Sequence, residues 1–202
     1  MKILYNSTGD DMVNYPTKKK LYRSISINQS NRGMSLEEDL NQSNAFYLVH
    51  NIANVHKKPT PVQVVQVQYP SRNKAKIIEA YYKKPSTTDY NGVYKSRAID
   101  FEAKETNHAT SFALKNIHQH QLDHLKSVQS HGAIAFLIIR FSRYNETYLL
   151  FYYQLEEFLS KNTRKSIPRE YIVKHGKELP YTHMPPLDYL KVIDEEIQRS
   201  SL

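Results

Sequence analysis

The chain has 202 residues, with 28 Lys and Arg against 20 Asp and Glu and a net charge of +8, a pI near 9.4 and a mean hydropathy of −0.65. That length supports one domain with an appendage, and the charge points to a polyanionic partner, either nucleic acid or an anionic membrane face. The absence of cysteine excludes a disulfide scaffold and a thiolate zinc site and fits a reducing compartment, and five glycines with no two within twenty residues exclude a Walker loop and a dinucleotide fingerprint, which need closely spaced glycines for backbone to approach phosphate.

In chain order, residues 1–30 are rich in Asn, Ser and Lys, lack hydrophobic periodicity and read as a flexible basic arm. The opening "MKILYNSTGDD" is too short in apolar residues for a secretory signal. The longest apolar run, "AIAFLII" at 133–139, falls far below the ~20 residues that span a bilayer. A cytoplasmic protein with no membrane partner is expected.

Met34, Leu36, Leu40, Phe46, Tyr47 and Ile52 predict an amphipathic helix over Ser35–Ala53, with Glu37, Glu38 and Asp39 in its first turn, where they suit the helix dipole. Two prolines, Pro59 and Pro61, close it. "VQVVQVQY" alternates except for a slip at Val64–Val65 that predicts a bulge, "PSRNK" is a turn, and "AKIIEAYYK" is the return strand. Residues 57–84 thus read as a long β-hairpin with seven Lys and Arg against one acid, Glu79, interleaved with Tyr69, Tyr81 and Tyr82. Such a hairpin suits phosphates and stacked bases, although lysines also protect an exposed sheet edge.

The stretch Ala98–Lys104 alternates strictly, with Asp100, Glu102 and Lys104 on one side and Ile99, Phe101 and Ala103 on the other. Residues 112–132 predict a helix with Leu114, Ile117, Leu125 and Val128 on one face and Gln121 in its middle, where a buried amide must find a partner. Strands follow at 133–141 and 147–153, then a short helix at 154–162, a basic loop at 163–171 and a terminal helix at 186–199. The order predicts an α/β fold with a central mixed β-sheet flanked by helices.

The charged strand is the place for chemistry. Glu102 and Lys104 project together, about 7 Å apart along the strand. Asp89 lies thirteen residues before Glu102, with Asn91–Gly92 between them as the expected turn, so a hairpin would bring the two carboxylates together. Converging carboxylates repel unless a cation or proton sits between them. Mg²⁺ or Mn²⁺ takes such oxygen ligands, completed here by a threonine hydroxyl or carbonyl and an amide oxygen such as that of Gln121. Lys104 would balance charge building on a phosphate in the transition state. Asp100 competes as a ligand but ranks below Glu102, which has the acid-x-Lys spacing. The bland alternative is a surface strand with a weak Glu102–Lys104 ion pair. His120 and His124 have the spacing of a zinc-binding helix but lack its glutamate, so both read as surface or DNA-facing histidines.

"NRGMSLEEDLN", "VHKKPTPVQVV", "STTDYNGVYKSRAIDFEAKET" and the spacing to Gln121 closely resemble the RecU family of bacterial Holliday junction resolvases, with the likeness running from Asn31 to Tyr189. The resemblance implies a restriction-endonuclease-like core that acts as a homodimer on four-way DNA junctions and cuts them by symmetric paired nicks with Mg²⁺, for which Mn²⁺ substitutes. It implies Thr87, Asp89, Glu102 and Gln121 as metal ligands, Lys104 as the transition-state lysine, and residues 57–84 as a protruding stalk within a nuclease domain of residues 31–202. Arg32, Lys57, Lys58, Arg72, Lys74 and Lys76 become the candidate DNA contacts. It further implies a RecA recombinase interaction and association with the nucleoid during repair. A two-fold dimer matches the approximate two-fold symmetry of a junction. The alternatives are a non-catalytic basic nucleic-acid-binding protein and an ordinary duplex endonuclease of the restriction type.

Overall fold

The computed structural model describes residues 35–71, 74–83 and 87–199. The basic arm of residues 1–30, Arg32 and Arg72 therefore lie outside the described residues. In chain order the elements are α1 (Leu36–Val49), β1 (Asn54–Lys57), β2 (Val62–Ser71), β3 (Lys74–Tyr82), β4 (Tyr90–Tyr94), β5 (Arg97–Thr106), β6 (Ser111–Ala113), α2 (Gln119–Ser130), β7 (Ile134–Phe141), β8 (Glu146–Phe151), α3 (Tyr152–Lys161), β9 (Ser166–Pro168), α4 (Arg169–His175), β10 (Lys177–Glu178) and α5 (Tyr189–Arg199).

Six strands form the central sheet in the order β1-β4-β5-β7-β8-β10. β5 and β7 run parallel, in register Phe101↔Phe136 and Glu102↔Leu137, whereas the other neighbours are antiparallel. A parallel pair needs a long crossover, and α2 lies within the one between β5 and β7. The result is the mixed sheet flanked by helices that the order of elements predicts.

Alternation along the strands gives the sheet two separate apolar faces. Ile99, Phe101, Phe136, Ile138, Leu149 and Phe151 join residues of α1 and α5 in one core. Phe101 stacks between Tyr90 and Phe136, each centroid 4.7 Å away, and Tyr189 of α5 packs against the same rings. On the opposite face Leu137, Ile139, Tyr148 and Leu150 pack with α2, α3 and α4 through Leu125, Leu155, Phe158 and Ile172. β5, with neighbours on both edges and helices over both faces, is a central strand, so the charges in its middle, Asp100 and Glu102, are forced into the interior.

Several local expectations shift. α1 ends at Val49, four residues before the predicted Ala53, because Asn51 turns left-handed at φ 54°. The expected helix over 112–132 is divided: Ser111–Ala113 pairs with Ser166–Pro168 as a small second sheet, a single 3₁₀ turn follows, and α2 begins at Gln119. The same pairing gives structure to the predicted basic loop at 163–171, since Phe112 and Ile167 are both fully buried by it. Among the first-turn acids of α1, Asp39 is not a solvated dipole partner. It is buried and ion-paired to Arg140 of β7 at 2.6 Å.

The hairpin of β2 and β3 forms a two-stranded sheet of its own, with register shifts on both sides of Gln66, at the predicted bulge. All of β3 and nearly all of β2 are exposed, Val67 alone being half-buried among their described residues. Lys57 and Lys58, read from sequence as the root of the hairpin, belong to the edge of the central sheet instead. Lys57 ends β1 opposite Tyr90, and the Lys58 amide continues that ladder to the Asp89 carbonyl at 2.7 Å.

Candidate active site

Asp89 and Glu102 meet because β4 and β5 form an antiparallel hairpin in register Tyr90↔Phe101 and Asn91↔Asp100. The turn is not at Asn91–Gly92, as the dipeptide suggests. It lies at Lys95 and Ser96, whose φ values of 46° and 61° are those of a tight left-handed turn. Asn91 and Gly92 lie inside β4. Gly92 is there because a Cβ would stand 2.2 Å from the Asn54 carbonyl oxygen and 2.6 Å from Val55 Cα; only glycine lets β1 approach this closely. The hairpin returns the chain to the same place with a different turn.

The Asp89 amide donates to Glu102 Oε2 at 3.0 Å, and Lys104 Nζ stands 2.5 Å from Glu102 Oε1. The Glu102 side chain is fully buried and the Lys104 side chain is 23% exposed, so the pair joins the interior to solvent. Burial is the main force raising the Glu102 carboxyl to about 7; the nearby Asp89 carboxylate adds to it as hydrogen-bond partner and as charge, and Lys104 opposes it. A buried carboxylate pressed by a second carboxylate and only partly offset by an ammonium favours a further positive charge at this point.

Thr87 is half-buried beside Asp89, its hydroxyl donating to the Thr88 carbonyl at 3.3 Å. Gln121 is buried on α2, and its amide oxygen accepts from the His118 amide at 2.9 Å, capping its own helix. The partner that a buried glutamine requires is thus the helix N-terminus. A carbonyl oxygen has a second lone pair, so the cap leaves capacity for a further contact. Among the described residues no three His, Cys, Asp or Glu side chains cluster into a ready cage. Two carboxylates with the half-buried Thr87 near Asp89 in the chain are nonetheless hard oxygen donors that suit Mg²⁺, which retains waters and needs few protein ligands.

Asp100 has a different fate from Glu102 although both point to one side of β5. It is 7% exposed and both its oxygens are engaged. Thr88 Oγ1 donates to Oδ1, and Lys58 Nζ lies 2.9 Å and His124 Nε2 3.2 Å from Oδ2. His124, read from sequence as surface or DNA-facing, turns its Nε2 to the sheet while its side chain stays 21% exposed. The signal was in the sequence: it lies three residues after Gln121, on the same face of α2. Of the candidate DNA contacts, Lys58 is turned into this cluster and Lys57 pairs with Glu37 at 2.6 Å. Lys74 and Lys76 are exposed on β3 in the same hairpin as Tyr69, Tyr81 and Tyr82, which are 71%, 62% and 84% exposed.

A basic chain whose mixed sheet gathers two carboxylates and a lysine at one point of a central strand has the makings of a polyanion-handling α/β protein. Its sequence matches the family described as Recombination protein U over residues 31–195, and the chain belongs to this RecU family. It is similar to the Holliday junction resolvase RecU of Bacillus thuringiensis (strain Al Hakam), at 54% identity over 182 residues that cover 89% of this chain and 88% of the relative. The proteins of the same name from Bacillus cereus (strain AH820) and Bacillus anthracis (strain A0248) match to the same extent. No helix among the described residues is long and apolar enough to cross a membrane.

Proposed function

We propose that this protein is a Mg²⁺-dependent, structure-selective endonuclease that resolves four-way DNA junctions by symmetric paired nicks. The observation that carries the reading is the convergence of Asp89, Glu102 and Lys104 on one buried point of β5. Family membership and the name of the relatives support the substrate. In this reading Asp89 and Glu102 would hold the cation, with Thr87 and Gln121 as neutral oxygen donors. When bound, the ion would supply Lewis-acid polarisation of the scissile phosphate and would stabilise its developing charge. Lys104, partly exposed where Glu102 is sealed, offers its ammonium to the same charge. The alternation of apolar and charged residues on β5 holds Glu102 and Lys104 on a strand anchored in one core through Ile99 and Phe101, so little reorganisation is needed during reaction.

The wider picture belongs to the same proposal: a restriction-endonuclease-like core, a homodimer presenting two equal sites to a two-fold junction, and a recombinase partner. The β2–β3 hairpin, exposed on both faces, would serve as the stalk that reads junction shape through Lys74, Lys76 and its tyrosines.

Incubation of the full chain with a labelled synthetic junction and Mg²⁺ tests the reading. Paired symmetric nicks, lost in Glu102→Gln and in Lys104→Ala while junction binding survives, are expected. Binding without cleavage in either Mg²⁺ or Mn²⁺ would leave a non-catalytic nucleic-acid-binding protein. Equal cutting of linear duplex would leave an ordinary endonuclease.

A further inference from the structure

We propose that Lys58, Asp100, Thr88 and His124 form a positioning device that presets residues 87–89 for a cation and withholds Asp100 from it. The inference rests on the metal-nuclease reading and concerns how this chain builds that site. Lys58 grips the segment twice. Its amide donates to the Asp89 carbonyl at 2.7 Å, and its ammonium donates to Thr88 Oγ1 and to Asp100 Oδ2, each at 2.9 Å. Thr88, 2% exposed, donates in turn to Asp100, while His124 closes the cluster from α2.

The placement of Thr88 gives the device its purpose. It stands between Thr87 and Asp89, each of which lies in a bend of the chain just before β4. Holding the Thr88 hydroxyl inward on Asp100 therefore pins the backbone that carries both neighbours. The Asp89 amide is then bound to Glu102 and its carbonyl to Lys58, so the segment has little freedom left before any ion arrives. Asp100 lies on the same side of β5 as Glu102, two residues away, and would otherwise offer a competing carboxylate. Pairing with Lys58 compensates its charge, and contacts to both oxygens occupy it.

Groups that orient metal ligands typically change metal affinity 10- to 100-fold when removed. The test uses full-length, metal-stripped wild type, Thr88→Val, Thr88→Ser and Lys58→Met, with Mn²⁺ uptake followed by electron paramagnetic resonance in the absence of DNA. Thr88→Val and Lys58→Met are expected to raise the Mn²⁺ dissociation constant by roughly 10- to 100-fold; Thr88→Ser, which keeps the hydroxyl, stays near wild type. Cleavage by the two impaired variants recovers at saturating Mg²⁺, whereas Glu102→Gln recovers at no concentration. Hydrogen exchange of the metal-free protein should quicken at residues 87–89. Should Lys58→Met fail to fold, Thr88→Val carries the test, because it removes one hydroxyl at constant shape. Wild-type Mn²⁺ uptake with Thr88→Val within twofold of it overturns the positioning role and leaves the nuclease reading standing. A Lys58→Met variant that binds Mn²⁺ normally but loses junction affinity makes Lys58 a phosphate contact instead. No Mn²⁺ uptake by the wild type sinks the nuclease reading, and the positioning role falls with it.

Discussion

Replacing Glu102 with Gln should stabilise the metal-free protein at neutral and alkaline pH. Glutamine has nearly the shape of a protonated glutamate and cannot ionise. The Glu102 carboxyl is raised from an ordinary 4.5 to about 7, chiefly by burial. Between those values the folded chain binds more protons than the unfolded one, so stability falls as pH rises. Ionised Glu102 is therefore a cost, absent below pH 4.5 and complete above about 7, and a change of this size corresponds to roughly 3 kcal/mol. Lys104 is already included in that balance, because it acts on Glu102 in the folded state. Urea unfolding of wild type and Glu102→Gln in EDTA, at pH 4.5 and at pH 8, measures the difference. The curves should nearly coincide at the lower pH, and the variant should lead by up to about 3 kcal/mol at the higher. Adding Mn²⁺ at pH 8 should then close the gap by stabilising the wild type alone. A difference that does not change with pH, or a variant weaker at pH 8, would refute the argument that the carboxylate is held under electrostatic pressure.

Other perturbations probe the frame around the site. Gly92→Ala drives a Cβ to 2.2 Å from the Asn54 carbonyl oxygen, and should cost at least 1–3 kcal/mol as β1 is forced from β4, read by thermal unfolding. Asp39→Ala leaves Arg140 buried without its 2.6 Å partner and should cost about 3–5 kcal/mol in urea unfolding, whereas the double change Asp39→Leu with Arg140→Met should cost much less. Removing Pro70–Lys74 from the hairpin should leave the unfolding midpoint of the core unchanged, because the hairpin is exposed on both faces. It should reduce the ratio of junction to duplex binding in a competition gel shift.

Apart from the short strands β1, β6, β9 and β10 and helix α4, which it did not reveal, the sequence by itself determined the order of the principal elements, the mixed sheet and the grouping of Asp100, Glu102 and Lys104 on one side of a strand. Each of these follows from periodicity, which is a local property: a period of two sets the faces of a strand whatever packs upon them. The spacing from Asp89 to Glu102 likewise required a return of the chain, and the return exists, although Lys95 and Ser96 make the turn and Gly92 answers a steric demand from β1 that no local pattern reveals. Which charges are satisfied was decided by tertiary structure alone. Asp39 and Arg140 are 101 residues apart and Lys58 and Asp100 are 42 apart, yet each pair is sealed together because a buried charge must find an opposite one wherever the fold brings it. Gln121 likewise needed a partner from its place on the helix, but only the folded chain showed that its oxygen caps α2. The two equal-looking acids of β5 differ for the same reason. Lys58, Thr88 and His124 close around one of them, while the other is left buried beside Asp89 and Lys104.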